Sequence, residues 1–228
     1  MDDTITLQDG LTLRLRRSAR ARRMTLRVPR DGAGPVLTLP VGAPLSQGLA
    51  FAESRAGWLR AALSRVPVPP VAAPGAVIPV AGKGARITLA PVKSVQIQGD
   101  TLLIPERGRA GALIAAWLKH RALLHLRAEC DRLAAAVGRP YRMIALRDTR
   151  SRWGSCSHDG RLMFSWRLAM VPPEVLHYVA AHEVAHLIHM DHSPRFWAQV
   201  ESLMPGYGAH RGWLRAHGGD VMAWRFDN

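Results

Sequence analysis

Two cysteines, Cys130 and Cys156, are all that the 228 residues contain. A secreted chain held together by disulfides carries more, so a reducing cytoplasm is the expected compartment. Acidic residues are also scarce: 17 Asp and Glu stand against 31 Lys and Arg, for a formal charge of +14. The opening "MDDTITLQDG" is acidic and polar, with no basic segment followed by an apolar one, and reads as having no signal peptide. No stretch approaches about 18 uncharged apolar residues except near "VPVPPVAAPGAVIPVAG", where proline at that density breaks a membrane helix. A soluble chain with no membrane partner is therefore expected.

What is present is a globular composition, 48% hydrophobic, long enough for one large domain or two small ones. The basic residues are uneven. "RLRRSARARRMTLRVPR", Arg14 to Arg30, holds eight arginines and no acid. Such a run can form a face for nucleic acid or nucleotide. Arginine alternating with Leu or Met is equally the pattern of half-exposed strands, and the solvated face of a hairpin is the preferred reading.

"TITL", "LTLRLRR", "RMTLRV" and "PVLTLP" alternate apolar with polar residues and read as short antiparallel strands. One helix follows, with Leu49, Ala52, Ala56, Leu59 and Leu63 on one face. The proline-rich segment from Pro67 to Pro79 reads as a linker or extended crossing. "ARITLAP", "SVQIQ" and "TLLIP" suggest a second set of strands. "AGKGAR" lacks the glycine spacing and the hydroxyl residue of a phosphate loop and reads as a hairpin turn. A long helix is expected between Gly108 and Gly138, with Cys130 on its apolar stripe as a core thiol. Two further strand-like runs meet at Asp159-Gly160, a strong hairpin signal. Pro173 and Glu174 suit the first turn of the next helix. No internal repeat is evident. The reading divides the chain into 1–105, a β-rich region with one helix, and 106–228, which carries the chemistry.

That chemistry lies in "AAHEVAHLIHMDHSPRFW". His182-Glu183-Val184-Ala185-His186 is H-E-x-x-H, for which this composition predicts only ~0.01 chance matches. Histidines four apart on a helix share a face and can converge on one zinc ion. Glu183 stands where its carboxylate can act as general base on a water at that ion. A catalytic zinc commonly takes three protein ligands. His189 lies on the same face one turn further along the axis, beyond the ion. Ser193-Pro194 reads as an N-cap followed by a first helical residue, so a helix should end near Met190 and another begin after Ser193. His192 falls in the turn between them and is the favoured third ligand, with Glu201 as runner-up.

Taken together, "RWGSCSHDGRLMFSWRL", "PPEVLHYVAAHEVAHLIHMDHSPRFW" and "MPGYGAHRGWL" closely resemble the YgjP-like metallopeptidase family, which is related to SprT-like and other zincin peptidases. The strong likeness runs from about Arg142 to His217. It implies an α+β fold: a zincin-like metallopeptidase domain, with an antiparallel sheet and an active-site helix, preceded by a β-rich N-terminal half. It implies one Zn²⁺ held by His182, His186 and His192, with Glu183 as base. It also implies that Arg152 to Ser157 lies along the cleft, where an edge strand can pair with a peptide substrate and Gly154 would admit the substrate backbone. Packing of this strand, with Trp153 in the core, is an equal alternative. Cys156 has no evident base and is not read as a nucleophile. Ser165 stands where the family often has Asn, and His177 where it often has Asp. Tyr207, His210 and Arg211 are oxyanion candidates by position only.

The expected activity is a zinc metallopeptidase acting on a peptide or protein. The alternatives are a metal-dependent nucleoside triphosphate pyrophosphohydrolase, with which the family has been linked, and a DNA-associated protease by analogy with SprT-like relatives.

Overall fold

A computed structural model describes residues 3–29, 34–65, 68–149 and 151–228. Arg30 of the basic run, Pro67 of the proline-rich segment and Arg150 lie outside the described residues. The chain divides into two compact units, Met1–Pro69 and Pro70–Asn228. This boundary lies inside the proline-rich segment and not at 105/106. The cause is packing: Ile78, Ile87, Leu102 and Ile104 of the second strand set share one core with the helices that follow.

The first unit holds β1 (Asp3–Thr6), β2 (Thr12–Ser18), β3 (Thr25–Arg27) and β4 (Val36–Pro40) in the order β1-β2-β4-β3. Its strands were expected to be antiparallel, but β2 and β4 run parallel because β3 crosses to the far side of β4. The single helix expected next is two, α1 (Leu45–Glu53) and α2 (Ala56–Leu63). Ser54 interrupts them by donating its hydroxyl to the Phe51 carbonyl (2.8 Å), the local competition that breaks helices at serine.

The second unit begins with β5 (Val77–Val80), β6 (Lys83–Ala90), β7 (Gln96–Gln98) and β8 (Thr101–Pro105), in the order β5-β6-β8-β7. Ala81 and Gly82 make the two-residue turn between β5 and β6, both at positive φ (48° and 76°), so "AGKGAR" is a hairpin turn. This sheet repeats the first, although no repeat is visible in sequence. Arg14 to Ser18 pair with Val36 to Pro40 as Arg86 to Ala90 pair with Thr101 to Pro105. β3 pairs with β4 in the register in which β7 pairs with β8. The buried residues match in class: Leu13 with Ala85, Leu15 with Ile87, Leu37 with Leu102, Leu39 with Ile104.

α3 (Ala110–Val137) then presents Ile114, Leu118, Ala122, Leu126 and Cys130 at four-residue steps to the core, and ends at Gly138 in the left-handed conformation (φ 64°). β9 (Met143–Arg147), β10 (Gly154–Cys156) and β11 (Arg161–Ser165) form a sheet in the order β10-β11-β9. It is mixed, where an antiparallel sheet was expected. The Asp159-Gly160 turn (Gly160 φ 76°) folds β11 back between β10 and β9, so β9 and β11 run parallel and β10 is left at the edge. A short 3₁₀ turn and three helices, α4 (Pro173–Ala185), α5 (Pro194–Leu203) and α6 (Tyr207–Ala223), complete the unit. Arg167, 1% exposed, anchors the α6 end: it pairs with Asp148 at 2.7 Å and donates to the carbonyls of Val221 and Trp224. The fold is α+β. Among the described residues, no helix is long and apolar enough to cross a membrane.

Candidate metal centre

α4 starts on two prolines, with Pro173 at its first position and Glu174 in the first turn, where its charge suits the positive end of the helix dipole. Nine of its thirteen residues are buried, so the helix is apolar on nearly all sides and its polar residues are conspicuous. His182 and Glu183 lie in its last turn. The helix ends at Ala185, earlier than the expected Met190, with His186 as the C-cap. Leu187 and Ile188 then donate to carbonyls three residues back, and the coil tightens. That turn brings the His189 carbonyl to the His186 ring, whose Nδ1 donates to it at 2.9 Å. The bond fixes the proton on Nδ1 and leaves the Nε2 lone pair free.

α5 begins as its sequence suggests, with the Ser193 hydroxyl accepting from the Phe196 N–H (3.5 Å) and Pro194 first in the helix. His192, exposed in the turn before it, comes back onto α4. Its Nε2 is 3.3 Å from the Nε2 of His182. One ligand atom from each of His182, His186 and His192 lies within 4.8 Å of the others. Two nitrogens each at ~2.05 Å from one tetrahedral ion stand about 3.3–3.4 Å apart, so this donor set fits a metal ion. Burial pushes the His182 imidazolium down to about 3, helped by the neighbouring charges of His186, His192 and Arg211. Burial lowers His186 as well. Neutral imidazoles at pH 7 are what ligation requires.

The other histidines do not join the cluster. His189 contributes its carbonyl only. Glu201, the other candidate ligand, is exposed and accepts the Gly206 N–H at 3.0 Å. His177 stands near His125 of α3, whose imidazolium is disfavoured first by burial, then by Arg121 and by His177.

Glu183 is 4% exposed, and burial pushes its carboxyl up to about 8, with Arg152 opposing. Its closest neighbour was not foreseen. A Cβ added to Gly154 would sit 2.5 Å from the Glu183 Oε1 and 2.7 Å from its Cδ. Gly154 therefore makes room for the carboxylate of this chain. We expect Gly154→Ala to fold and retain metal, yet to lose roughly a hundredfold in turnover because the methyl displaces Glu183, a scale set by misplacement of a reacting group. Unaltered turnover with full metal content would refute this.

Phe196, fully buried, packs beneath all three imidazoles at 4.9, 4.4 and 4.9 Å from His182, His186 and His192. Sequence reasoning passed over it, although its place four residues before Val200 on the inner side of α5 marked it as core-facing. Trp197 lies against His182 and His192 at 5.6 and 5.8 Å. Tyr207 is stacked between Trp197 (5.3 Å) and Tyr178 (5.9 Å), and the Arg211 guanidinium covers the Trp197 ring at 4.5 Å. Those two oxyanion candidates thus contribute to an aromatic wall. Trp153 is half-buried against Gly218 of α6, while β10 remains a sheet edge, so packing and edge exposure coexist there. Burial pushes the Cys156 thiol up to about 11, which leaves no thiolate nucleophile at neutral pH.

A helix bearing H-E-x-x-H, a third imidazole from the following turn and a neighbouring sheet edge define a metallopeptidase-type centre. The chain belongs to the YgjP-like metallopeptidase family, whose metallopeptidase domain matches residues 22–217. Among solved structures, the metallopeptidase zymogen of Pyrococcus abyssi abylysin is 22% identical over 41% of this chain and 92% of its own, with a TM-score of 0.36. No curated protein matches the chain in sequence.

Proposed function

We propose that this chain is a zinc-dependent peptidase. The observation that carries the reading is the convergence of the His182, His186 and His192 nitrogens beside the buried carboxyl of Glu183. Three imidazole nitrogens with no thiolate or carboxylate suit zinc. When bound, zinc would supply Lewis acidity and make an adjacent water easier to deprotonate. Glu183 accepts the proton of the attacking water and returns it to the departing amine. Gly154 keeps the carboxylate in place for both transfers. β10 pairs on one side with β11, and its other side offers main-chain groups to an extended substrate. Phe196 and Trp197 restrict water on the ligand side, which strengthens electrostatic interactions in the site.

The test is mass spectrometry of products from the zinc-loaded protein, given a peptide library and, separately, the four ribonucleoside triphosphates. New peptide termini, absent with Glu183→Gln, are expected. Monophosphate and pyrophosphate from the triphosphates, with every peptide intact, would replace the peptidase by a nucleotide hydrolase.

A further inference from the structure

We propose that the outer face of the first sheet binds nucleic acid, gripping the phosphate backbone of a duplex without reading its sequence. Leu13 and Leu15 of β2 and Leu37 and Leu39 of β4 are buried, so by strand alternation Arg16 lies on the opposite face in one row with Thr38 and Thr25. Arg27 follows on the same face, one row along, opposite Val36. Arg20, Arg22 and Arg23 are exposed in the connection between β2 and β3. Arg16, Arg20, Arg22, Arg23 and Arg27 have no acidic partner among the described residues. Arg17, by contrast, is engaged in holding the carbonyls of Val41 and Ala43.

The second sheet supplies an internal control. By register, Thr88 stands where Arg16 does and Gln98 where Arg27 does. Its β6–β7 connection carries Lys93 alone where the first has three arginines. The same motif thus folds without arginine at these places, while its inward residues keep their apolar class. The arginines are not needed to build the sheet, and their charge is left for a partner.

The partner's chemistry follows from what surrounds that charge. Arg16 and Arg27 are rooted two strands apart and two residues along, about 12 Å, which suits separate phosphates along a polymer better than one phosphate group. Guanidinium forks pair closely with phosphate oxygens. The outward positions of β2, β3 and β4 are Thr, Arg, Ser, Val and Pro, with no aromatic ring on which unpaired bases could stack. Among the described residues of this unit the exposed large apolar side chains, Val41, Leu45, Trp58 and Val68, lie off these strands, so the strands of this face offer no large apolar group to insert into a bilayer.

The experiment measures anisotropy of a labelled mixed-sequence DNA duplex of about 30 base pairs with the full chain across KCl concentrations. In the variant Arg16→Thr with Arg27→Gln, each arginine is replaced by the residue of the second sheet. We expect at least tenfold weaker binding at low salt and a salt slope smaller by about two, one unit for each arginine withdrawn from a phosphate. Lys93→Gln with Arg107→Gln, which removes equal charge from the second unit, should change affinity less than about twofold. Should the first pair disturb folding by circular dichroism, Arg20→Gln with Arg22→Gln and Arg23→Gln tests the same surface without touching a strand. Parental affinity in both surface variants, equal weakening by the control pair, or loss of binding to phosphatidylserine vesicles in place of DNA would each overturn the proposal.

Discussion

Glu183→Gln is expected to lower kcat/KM for peptide cleavage by about a thousandfold while leaving metal content unchanged. The substitution preserves the side chain's volume and shape next to Gly154, and the donor atoms reside on His182, His186 and His192. What it removes is the capacity to take and return a proton, worth roughly 10²–10⁴ in rate. The metal-free variant should also reveal the cost of burying this carboxyl. The metal-free folded protein holds the Glu183 proton until about pH 8, whereas an unfolded glutamate loses it near 4.5. Between those values the folded state binds more protons, so the parent loses stability as pH rises and the loss levels off above 8. Glutamine titrates nowhere in that window. Metal-free Glu183→Gln should melt several degrees above the metal-free parent at pH 9, and the two should converge at pH 5. Activity within tenfold of the parent would exclude Glu183 as the base, whatever the melting curves show.

The parts of the molecule legible in sequence are those fixed by local chemistry. Gly138 ends α3 and Asp159-Gly160 turns β10 into β11 because each demands a positive φ that glycine provides without strain. Ser193-Pro194 starts α5, and that boundary puts His192 in a turn able to fold back, while helical spacing puts His189 one turn beyond His186 on the same face. Long-range partners left no such trace. Gly154 reads as room for a substrate backbone until Glu183 of α4 is found against it. The repeated sheet was hidden for a related reason. Burial preserves only class, so Leu13 and Ala85 can be equivalent with different volumes, while outward pairs such as Arg16 and Thr88 carry no memory of one another. The β3–β4 connection is much longer than the β7–β8 one, which removes the fixed period that would expose a repeat. The unit boundary was misplaced because hydrophobic alternation reports that a strand has a buried face, not which core receives it.

His192→Ala is expected to weaken metal binding at least a thousandfold and to abolish cleavage with it. His182 and His186 come from α4 and its cap; packing holds the His182 ring, and burial together with the bond to the His189 carbonyl holds that of His186, whether or not an ion is present. His192 is exposed, belongs to a turn, and is kept in place by ring contacts with Phe196 (4.9 Å) and Trp197 (5.8 Å). Its loss leaves two donors on one side of the ion, and no other His, Cys, Asp or Glu completes a three-residue group there among the described residues. Removing a partner that merely orients a ligand costs about 10–100-fold in affinity, so deleting a ligand should cost more. Two comparisons separate coordination from general disturbance of the turn. His189→Ala keeps the carbonyl that receives the His186 Nδ1 proton and should shift affinity less than tenfold. Glu201→Ala removes only the cap on the Gly206 N–H and should keep the metal. Competition with a chromophoric chelator gives the affinities. Melting with and without added metal gives the linked stability, which should rise with metal concentration in the parent and both comparison variants but not in His192→Ala. Retention of metal in His192→Ala, with loss in Glu201→Ala, would instead make the downstream carboxylate the third ligand and require α5 to move toward α4 on binding.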